Sequence, residues 1–216
     1  INFFVIGFCM GLCGGFAIPV AQRMGAREYG QMRRFVANAA YLSALFALVL
    51  TVATGLFCRN ILVVMRTPAD IIDNAYAYIF VIFMGIPATF LYNLLAAVIR
   101  SLGDSKTPVY FLALSSFLNI FLDFTLILYF KAGVAGAALA TVISQAISAA
   151  WVLKFLTGRR ALLTLKLRYF PLQARRVKRI VALGLSGFFM NMTNSLVQIV
   201  CNATLQSYGG DLYVGV

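Results

Sequence analysis

The chain alternates between long apolar runs and short polar connections that carry most of its charge. Six runs reach about 20 residues or more, the length that a helix needs to cross a hydrocarbon core of about 30 Å. They exceed the roughly 9–11 residues of membrane strands and lack strict alternation, so helices fit better than a barrel. The predicted spans are Ile1–Gln22, Phe35–Cys58, Ala75–Ile99, Thr107–Phe130, Ala132–Leu156 and Ile180–Gln206.

Composition agrees with this pattern and excludes several classes of protein. The 216 residues are 62% hydrophobic and 11% charged, whereas soluble domains average about 25% charged. The chain has no histidine, so it cannot build a Ser-His-Asp triad or a His-ligated zinc or haem site. Its four cysteines lie in or at the ends of spans, where Cys behaves as a small apolar residue. We predict an all-α, polytopic membrane helix bundle.

Basic residues mark one side of this bundle. Fifteen of the 18 Lys and Arg residues fall on the first, third and fifth connections with their flanks, and only Arg59, Arg66 and Lys131 fall on the other side. The positive-inside rule therefore places the odd-numbered connections in the cytoplasm. Because the net charge of +12 lies at membrane edges, it indicates orientation and contact with anionic lipids rather than nucleic-acid binding.

The fifth connection, Thr157–Arg179, is the longest and is the one candidate domain boundary. After Pro171, apolar residues such as Leu172 and Val177 alternate with four cations. This pattern fits an amphipathic helix on the inner membrane surface. A solvated basic linker fits it equally well, so both interpretations stay open.

One acidic residue lies inside a predicted span. Asp123 is roughly 10 Å from the outer end of the fourth span at 1.5 Å per residue, where a charge costs about 2.5–3.5 kcal/mol on insertion scales. Asn119 shares its helical face, and Thr141 in the next span has a similar depth. Their oxygens suit a hard cation, and a buried carboxyl can also hold a proton. The alternatives are a structural hydrogen bond between helices and, with no partner acid, the less favoured catalytic carboxylate.

The last span carries a second polar stripe at spacings of three, four and four residues. These amides share one helical face, and uncharged amides suit the wall of a wet cavity that accepts varied solutes. Helix–helix hydrogen bonding is the alternative interpretation. The stripe consists of Asn191, Asn194, Gln198 and Asn202.

Small residues and prolines predict where helices pack closely or bend. Pro19 and Pro87 lie inside spans, where proline is expected to kink a helix. Small residues at every fourth position predict faces for close helix contact. The two such series are Gly7, Gly11 and Gly15 in the first span, and Gly136, Ala140, Ser144 and Ser148 in the fifth.

Two predicted cytoplasmic connections echo each other, Gln22-Arg-Met-Gly-Ala-Arg27 and Arg100-Ser-Leu-Gly-Asp-Ser-Lys-Thr-Pro108. The second, followed by a span with Asn119 and Asp123, resembles the multidrug and toxic compound extrusion (MATE) family, as does Gly133-Val-Ala-Gly-Ala-Ala138. The resemblance covers essentially the whole chain and implies a part of a transporter with two lobes of six helices. It implies that residues 1–156 hold family helices two to six of the N-terminal lobe, that 157–179 form a cytoplasmic linker, and that 180–216 hold the first helix of the C-terminal lobe.

The resemblance also implies a function. Family members are antiporters, not enzymes, that export amphipathic, mostly cationic compounds in exchange for Na⁺ or H⁺ and need no cofactor. In the DinF-like branch, favoured here because Ile180–Gln206 contains no acid, the cation site maps onto Asp123, Asn119, Thr141 and Asn93. We expect a multi-pass protein of a prokaryotic plasma membrane, monomeric when complete, with small-molecule substrates and membrane lipids as partners.

Two other functions remain as alternatives. A lipid-linked oligosaccharide flippase of related architecture would line its cavity with cations, whereas the interiors of these spans contain no Lys or Arg. A membrane protein that transports nothing, whether an embedded enzyme or a packing subunit, is the other alternative.

Overall fold

The computed structural model describes residues 2–64, 72–131, 133–157 and 173–209, and these ranges contain helices and short connections but no strand. A π-helical turn, Thr125–Tyr129, extends the fifth helix. The helices are α1 (Asn2–Gly25), α2 (Tyr29–Val64), α3 (Ile72–Met84), α4 (Ile86–Ser101), α5 (Lys106–Phe124), α6 (Gly133–Thr157) and α7 (Ala174–Gly209).

All six predicted spans fall on helices, which confirms the predicted all-α bundle. Tyr29–Asn60, Lys106–Tyr129 and Gly133–Thr157 are each long and apolar enough to cross a membrane, and α3 with α4 would form a fourth, bent span. With 24 residues in α1 and 36 in α7, both helices exceed the thickness of a hydrocarbon core of about 30 Å at 1.5 Å per residue. Large apolar side chains, Leu56, Phe117 and Tyr129 among them, are exposed on the outside of the bundle, as lipid contact requires.

The predicted kink at Pro87 is confirmed. The axes of α3 and α4 differ by 44° across Gly85, because Pro87 has no N–H to donate to the carbonyl one turn earlier and its ring crowds that carbonyl. A Cβ at Gly85 would lie 2.3 Å from Cγ2 of Val142 in α6, so the break presses directly against α6. By contrast, α1 is one continuous helix across Pro19.

Helix α4 lies at the centre of the bundle and packs against α1, α2 and α6. Its buried side chains, Phe90, Leu94 and Val98 among them, form the core together with Leu12 and Phe16 of α1. Helix α5 packs mainly on α6 at one edge, and α7 packs mainly on α1 at the other. The polar residues of α5 and those of α7 therefore lie in different parts of the bundle.

The contact between α1 and α7 is made through glycines. A Cβ at Gly15 would lie 2.3 Å from the carbonyl oxygen of Leu183, and a Cβ at Gly187 would lie 2.5 Å from the carbonyl oxygen of Gly11. The two backbones thus approach more closely than any larger residue permits. The predicted contact face is confirmed at Gly11 and Gly15, whereas a Cβ at Gly7 would meet nothing within 4 Å.

The small residues of α6 are likewise in helix contact, as predicted, because all four are buried. They lie on the helix that packs against α3, α4 and α5. Small side chains there let α6 sit close to three neighbours at once.

The interpretation of a separate amphipathic surface helix is wrong. Residues Ala174–Gly209 form a single helix, which begins six residues before the predicted span. No Gly or Pro stands between Ala174 and Ile180, so nothing interrupts the backbone hydrogen bonds. Val177, Ile180 and Val181 join the core. Residues 158–172, with Pro171 and Leu172, lie outside the described residues.

Candidate functional site

Asp123 lies two residues before α5 changes to π-helical geometry. The N–H of Phe130 donates to the carbonyl of Thr125 at 3.2 Å, a bond across five residues that widens the helix. The hydroxyl of Thr125 donates to the carbonyl of Phe121 at 2.8 Å. Single π-helical turns occur often at functional sites. The sequence does not predict this turn, because the segment Thr-Leu-Ile-Leu-Tyr is an apolar run like the rest of the span.

The Asp123 side chain is partly buried and lacks a partner for one oxygen. Its Oδ1 is buried and accepts no hydrogen bond from the described residues. It borders an open groove of about 380 Å³ on the surface of α5, whose other lining consists of the exposed apolar side chains of Ile120, Phe124, Ile127 and Leu128. An unpaired carboxylate oxygen in such surroundings is costly. A bound proton or cation would remove that cost.

Asn119 and Thr141 are brought together between α5 and α6, as the sequence predicts. The Asn119 Nδ2 donates to Thr141 Oγ1 at 3.4 Å, and the Thr141 hydroxyl donates its own proton to the carbonyl of Ala137 at 3.1 Å. Thr141 Oγ1 therefore presents lone pairs away from its own helix. Asn119 precedes Asp123 by one turn of α5, so the Asn119–Thr141 pair lies one helical turn from the position of the carboxylate.

Asn93 is not part of this group. Its Nδ2 donates to the carbonyl of Thr89 on its own helix at 2.8 Å, and its side chain lines another cavity of about 280 Å³ with Cys13 and Arg100. Counted from the α4–α5 connection at 1.5 Å per residue, Asn93 is about 12 Å deep and Asp123 about 26 Å. The two side chains are therefore at different depths.

A second polar pair, which the sequence analysis missed, lies between these levels. The Thr89 hydroxyl donates to Gln145 Oε1 of α6 at 2.5 Å. Gln145 is one turn after Thr141, so both lie on the same face of α6. Polar side chains thus occur at successive levels in the order Asp123, Asn119, Thr141, Gln145, Thr89 and Asn93, and we call this series the polar track. Side-chain hydrogen bonds join two pairs in it, Asn119 with Thr141 and Thr89 with Gln145. The signal that could have found Gln145, though not its partner, is an amide side chain inside a membrane span, one helical turn after Thr141.

The amide stripe of α7 is divided in the structure. The Asn191 Nδ2 donates to the carbonyl of Gly187 at 3.0 Å and lies 2.9 Å from the position of a Cβ at Gly11, so Asn191 is at the contact with α1. Asn194 is exposed. The side chains of Gln198 and Asn202 lie outside the described residues.

The donor set around Asp123 favours a singly charged ligand. In the described ranges no three His, Cys, Asp or Glu side chains come together. One carboxylate with neutral amide and hydroxyl oxygens matches the charge of a proton or of a monovalent hard cation. A site for a divalent ion usually gathers more carboxylates than this.

A membrane-spanning helix bundle with one intramembrane acid on a polar track is typical of membrane transporters. The family model described as MatE matches residues 1–125 of this chain. The chain belongs to the MATE family, which the resemblance of its α4–α5 connection had indicated.

Individual relatives agree with this assignment. The chain is 30% identical to the probable multidrug resistance protein YoeA of Bacillus subtilis (strain 168) over 217 residues, covering 97% of this chain and 47% of that protein. It is 27% identical to the probable multidrug resistance protein NorM of Thermotoga maritima over 205 residues, covering 93% and 44%. The chain therefore spans about half the length of the curated relatives it matches.

Solved structures show the same fold. A transporter of the MOP superfamily from Pyrococcus furiosus Vc1 superposes with a TM-score of 0.90 at 24% identity. The superposition covers 99% of this chain and 47% of that chain. The described helices thus have the arrangement found in part of a two-lobe transporter.

Proposed function

We propose that this chain forms much of one lobe of an antiporter that exports amphipathic, mainly cationic drugs or toxic compounds. The exchange is with Na⁺ or H⁺, across a prokaryotic plasma membrane that the chain spans several times. The observation that carries this proposal is the buried Oδ1 of Asp123, which accepts no hydrogen bond from the described residues and belongs to a residue one helical turn from the Asn119–Thr141 pair. Membership of the MATE family and relatives with multidrug names support it.

Coupling would run through the occupancy of Asp123. A carboxylate without a partner is unfavourable in an apolar span, so the empty site favours a conformation that admits water or an ion. Binding of a proton or cation neutralises it and favours the alternative arrangement of the lobes. The solute must bind these two arrangements with different affinity, since otherwise neither ligand could shift the equilibrium. A membrane potential supplies about 2.3 kcal/mol per charge per 100 mV for this work.

Residue roles follow from placement along the polar track. Asp123, Asn119 and Thr141 would be direct ligands of the cation. Asn93, which the resemblance to the DinF-like branch assigns to the cation site, would act at the inner end of the track, next to Thr89 and Gln145. The substrate path would be lined by the stripe of α7, which holds Asn191, Asn194, Gln198 and Asn202.

The domain boundaries are part of this proposal. Residues 1–156 would belong to the N-terminal lobe, 157–179 would form the basic connection between the lobes, and 180–216 would open the C-terminal lobe. Helix α7 begins at Ala174, so the helical part of the second lobe would begin inside the predicted connection.

The test is Asp123→Asn, measured as efflux of a fluorescent organic cation from proteoliposomes under an imposed Na⁺ or pH gradient. We expect the substitution to abolish gradient-driven efflux, because the amide keeps the size of the side chain but can neither ionise nor titrate. Asp73→Asn is the matched control, since Asp73 is exposed in the first turn of α3. The gradient that drives efflux in the unmodified protein identifies the coupling ion. Unchanged gradient-driven efflux in Asp123→Asn would remove Asp123 from the coupling role.

A further inference from the structure

A cationic pocket lies at the predicted cytoplasmic end of the bundle, where α1 ends and α2 and α7 begin. Its volume is about 440 Å³, within the range of about 300–1,000 Å³ that small-ligand sites occupy. Four arginines and two glutamines account for its polar lining. These are Arg23, Arg175, Arg176, Arg179, Gln31 and Gln173.

Neutral groups hold two of the three pocket arginines of α7 in place. Arg176 donates through Nη2 to Gln31 Oε1 at 3.0 Å, and its guanidinium lies 5.9 Å from the centre of the Phe35 ring. Arg179 donates through Nη2 to Gln22 Oε1 at 2.9 Å. These contacts fix the positions of the two guanidinium groups but do not neutralise their charges. The pocket therefore has defined donor positions and a positive charge.

The anchorage extends into the core through Asn38 of α2. Asn38 is fully buried, and its Oδ1 accepts a hydrogen bond from the backbone N–H of Gln173 at 3.4 Å. Its Nδ2 donates to the carbonyl of Arg34 at 2.7 Å. The start of α7 is therefore attached to the interior of α2, directly behind the pocket.

Acidic residues do not balance this charge. Arg23 pairs with Glu28 across the α1–α2 turn, but Arg175, Arg176 and Arg179 form no salt bridge with any described residue. Burial lowers the pKa of the Arg176 guanidinium, and the nearby charges of Arg34 and Arg23 lower it further. The sequence of residues 158–172, which precedes the pocket, contains four cations and no acid. An anion from outside the chain would relieve this repulsion.

We propose that this pocket binds a phosphate group. The planar, forked donors of arginine match phosphate oxygens in pairs, with more strength and direction than single charges. A phospholipid headgroup and a soluble phosphate ester present the same chemistry. The pocket lies at the level where the anionic headgroups of the cytoplasmic leaflet are found, which favours the headgroup as its source.

A bound phosphate would tie α7 to the rest of the bundle. Three arginines of the pocket come from α7, while Arg23 belongs to α1 and Gln31 to α2. The ligand would therefore bridge the helices that also meet at the α1–α7 glycine contact, and it would stabilise the folded state by mass action. The pocket is formed by residues of α1, α2 and the start of α7, whereas Asp123 lies near the end of α5. This inference is therefore independent of Asp123, and either proposal can fail alone.

The test is the thermal unfolding midpoint of the purified protein in dodecyl maltoside micelles at fixed ionic strength. Three probes are titrated separately: dioleoylphosphatidylglycerol, zwitterionic dioleoylphosphatidylcholine and glycerol phosphate. We expect a saturable rise with phosphatidylglycerol, smaller at high salt, and no rise with phosphatidylcholine. A rise with glycerol phosphate at equal concentration would support the site and identify a soluble phosphate ester as its ligand.

The variant Arg175→Gln, Arg179→Gln removes two charges from the pocket. Both residues are exposed; Arg175 forms no hydrogen bond with the described residues, and Arg179 loses its bond to Gln22, so we expect the variant to fold. We expect the half-saturating concentration of phosphatidylglycerol to rise about tenfold, the size of one lost charge-assisted hydrogen bond. The control is Lys154→Gln, which removes an exposed cation from the last turn of α6, at the predicted cytoplasmic end of the bundle. Its titration should match that of the unmodified protein. Equal titrations of the double variant and the unmodified protein would overturn the proposal.

Discussion

At the residue scale, the connection between α4 and α5 shows how a short motif ends one helix and begins the next. Gly103 has a φ of +92°, a conformation that glycine adopts without strain. Asp104 Oδ1 then accepts hydrogen bonds from the N–H groups of Lys106 at 3.1 Å and Thr107 at 3.0 Å, which satisfies donors that the first turn of α5 leaves free. Pro108 stands in that first turn, where a missing N–H is tolerated. The motif behind the family resemblance is therefore a helix stop and start.

The first connection, which echoes it in sequence, turns differently. There the residue with positive φ is Arg27, at +56°, and not Gly25. The hydrogen bond from Arg27 N–H to the carbonyl of Met24 closes this turn, and the Arg23–Glu28 pair spans it. A similar sequence thus reaches a similar reversal of the chain through a different residue.

The first prediction concerns the acid dependence of the α5 cap. Hydrogen bonds from Thr107, from its side chain first and then its backbone, lower the pKa of Asp104 below its ordinary value of 3.8. A lowered folded-state pKa means that this stabilisation is present above pH 3.8 and is lost as the pH falls through the folded-state value. We expect Asp104→Asn to unfold at a lower temperature than the unmodified protein at pH 7 and to match it in acid.

The measurement is the unfolding midpoint of both proteins in detergent between pH 7 and pH 2. Asp73→Asn, the same change at the start of α3, is the control for the loss of one surface charge. A constant difference between Asp104→Asn and the unmodified protein across this range would show that the cap does not depend on the carboxylate charge.

At the element scale, the α1–α7 contact depends on backbone approach more than on side-chain packing. Glycines on both helices leave room for the carbonyl of one to touch the other. In a membrane, where lipid tails are as apolar as leucine, such close van der Waals packing is a main source of helix association. Larger residues at the contact would force the two helices apart.

The second prediction compares two neighbouring glycines of α1. Gly15→Ala places a Cβ 2.3 Å from the carbonyl oxygen of Leu183, whereas Gly14→Ala meets no heavy atom within 4 Å. We expect Gly15→Ala to lower the free energy of unfolding by about 1–3 kcal/mol, as overpacking does. Gly14→Ala should leave it unchanged or raise it by up to about 1 kcal/mol, because Ala is the better helix former.

Unfolding in mixed micelles, followed by circular dichroism, gives both free energies. Equal effects of the two substitutions on the free energy of unfolding would mean that helix propensity accounts for both, and that the close approach of α7 to Gly15 contributes nothing.

At the scale of the whole molecule, charge asymmetry predicts the orientation of every span at once. The first, third and fifth connections hold 15 of the 18 Lys and Arg residues, so the positive-inside rule assigns these connections to the cytoplasmic side. The same asymmetry gathers the arginines of α1 and α7 at one end of the bundle. The predicted orientation of the spans and the cationic pocket therefore both result from the concentration of Lys and Arg at one end of the bundle.

The third prediction tests this orientation with two single cysteines in a Cys201→Ser background, since Cys201 is the exposed native thiol among those described. A membrane-impermeant maleimide should label Lys131→Cys in intact cells, because the fourth connection is predicted to be external. Ser105→Cys should be labelled only after permeabilisation. The reverse pattern would invert the topology.

The site illustrates where prediction from sequence ends. Asp123, Asn119 and Thr141 could be grouped because helical spacing and depth depend on position along the chain. Gln145 and Thr89 were missed because their bond joins residues 56 positions apart, which no periodicity encodes. Asn93 was grouped by resemblance, whereas the structure places it in another cavity.

The sequence by itself determined the spans, the all-helical class and the family, and it predicts the orientation, because the length of an apolar run and the side on which cations fall are properties of the chain read in order. Only the tertiary structure decided which helices are neighbours, since periodicity defines a helical face but not the helix it meets. The glycine contact between α1 and α7 and the cationic pocket both depend on which helices are neighbours. Arg179 and Gln22, 157 residues apart and 2.9 Å from each other, are joined by packing alone.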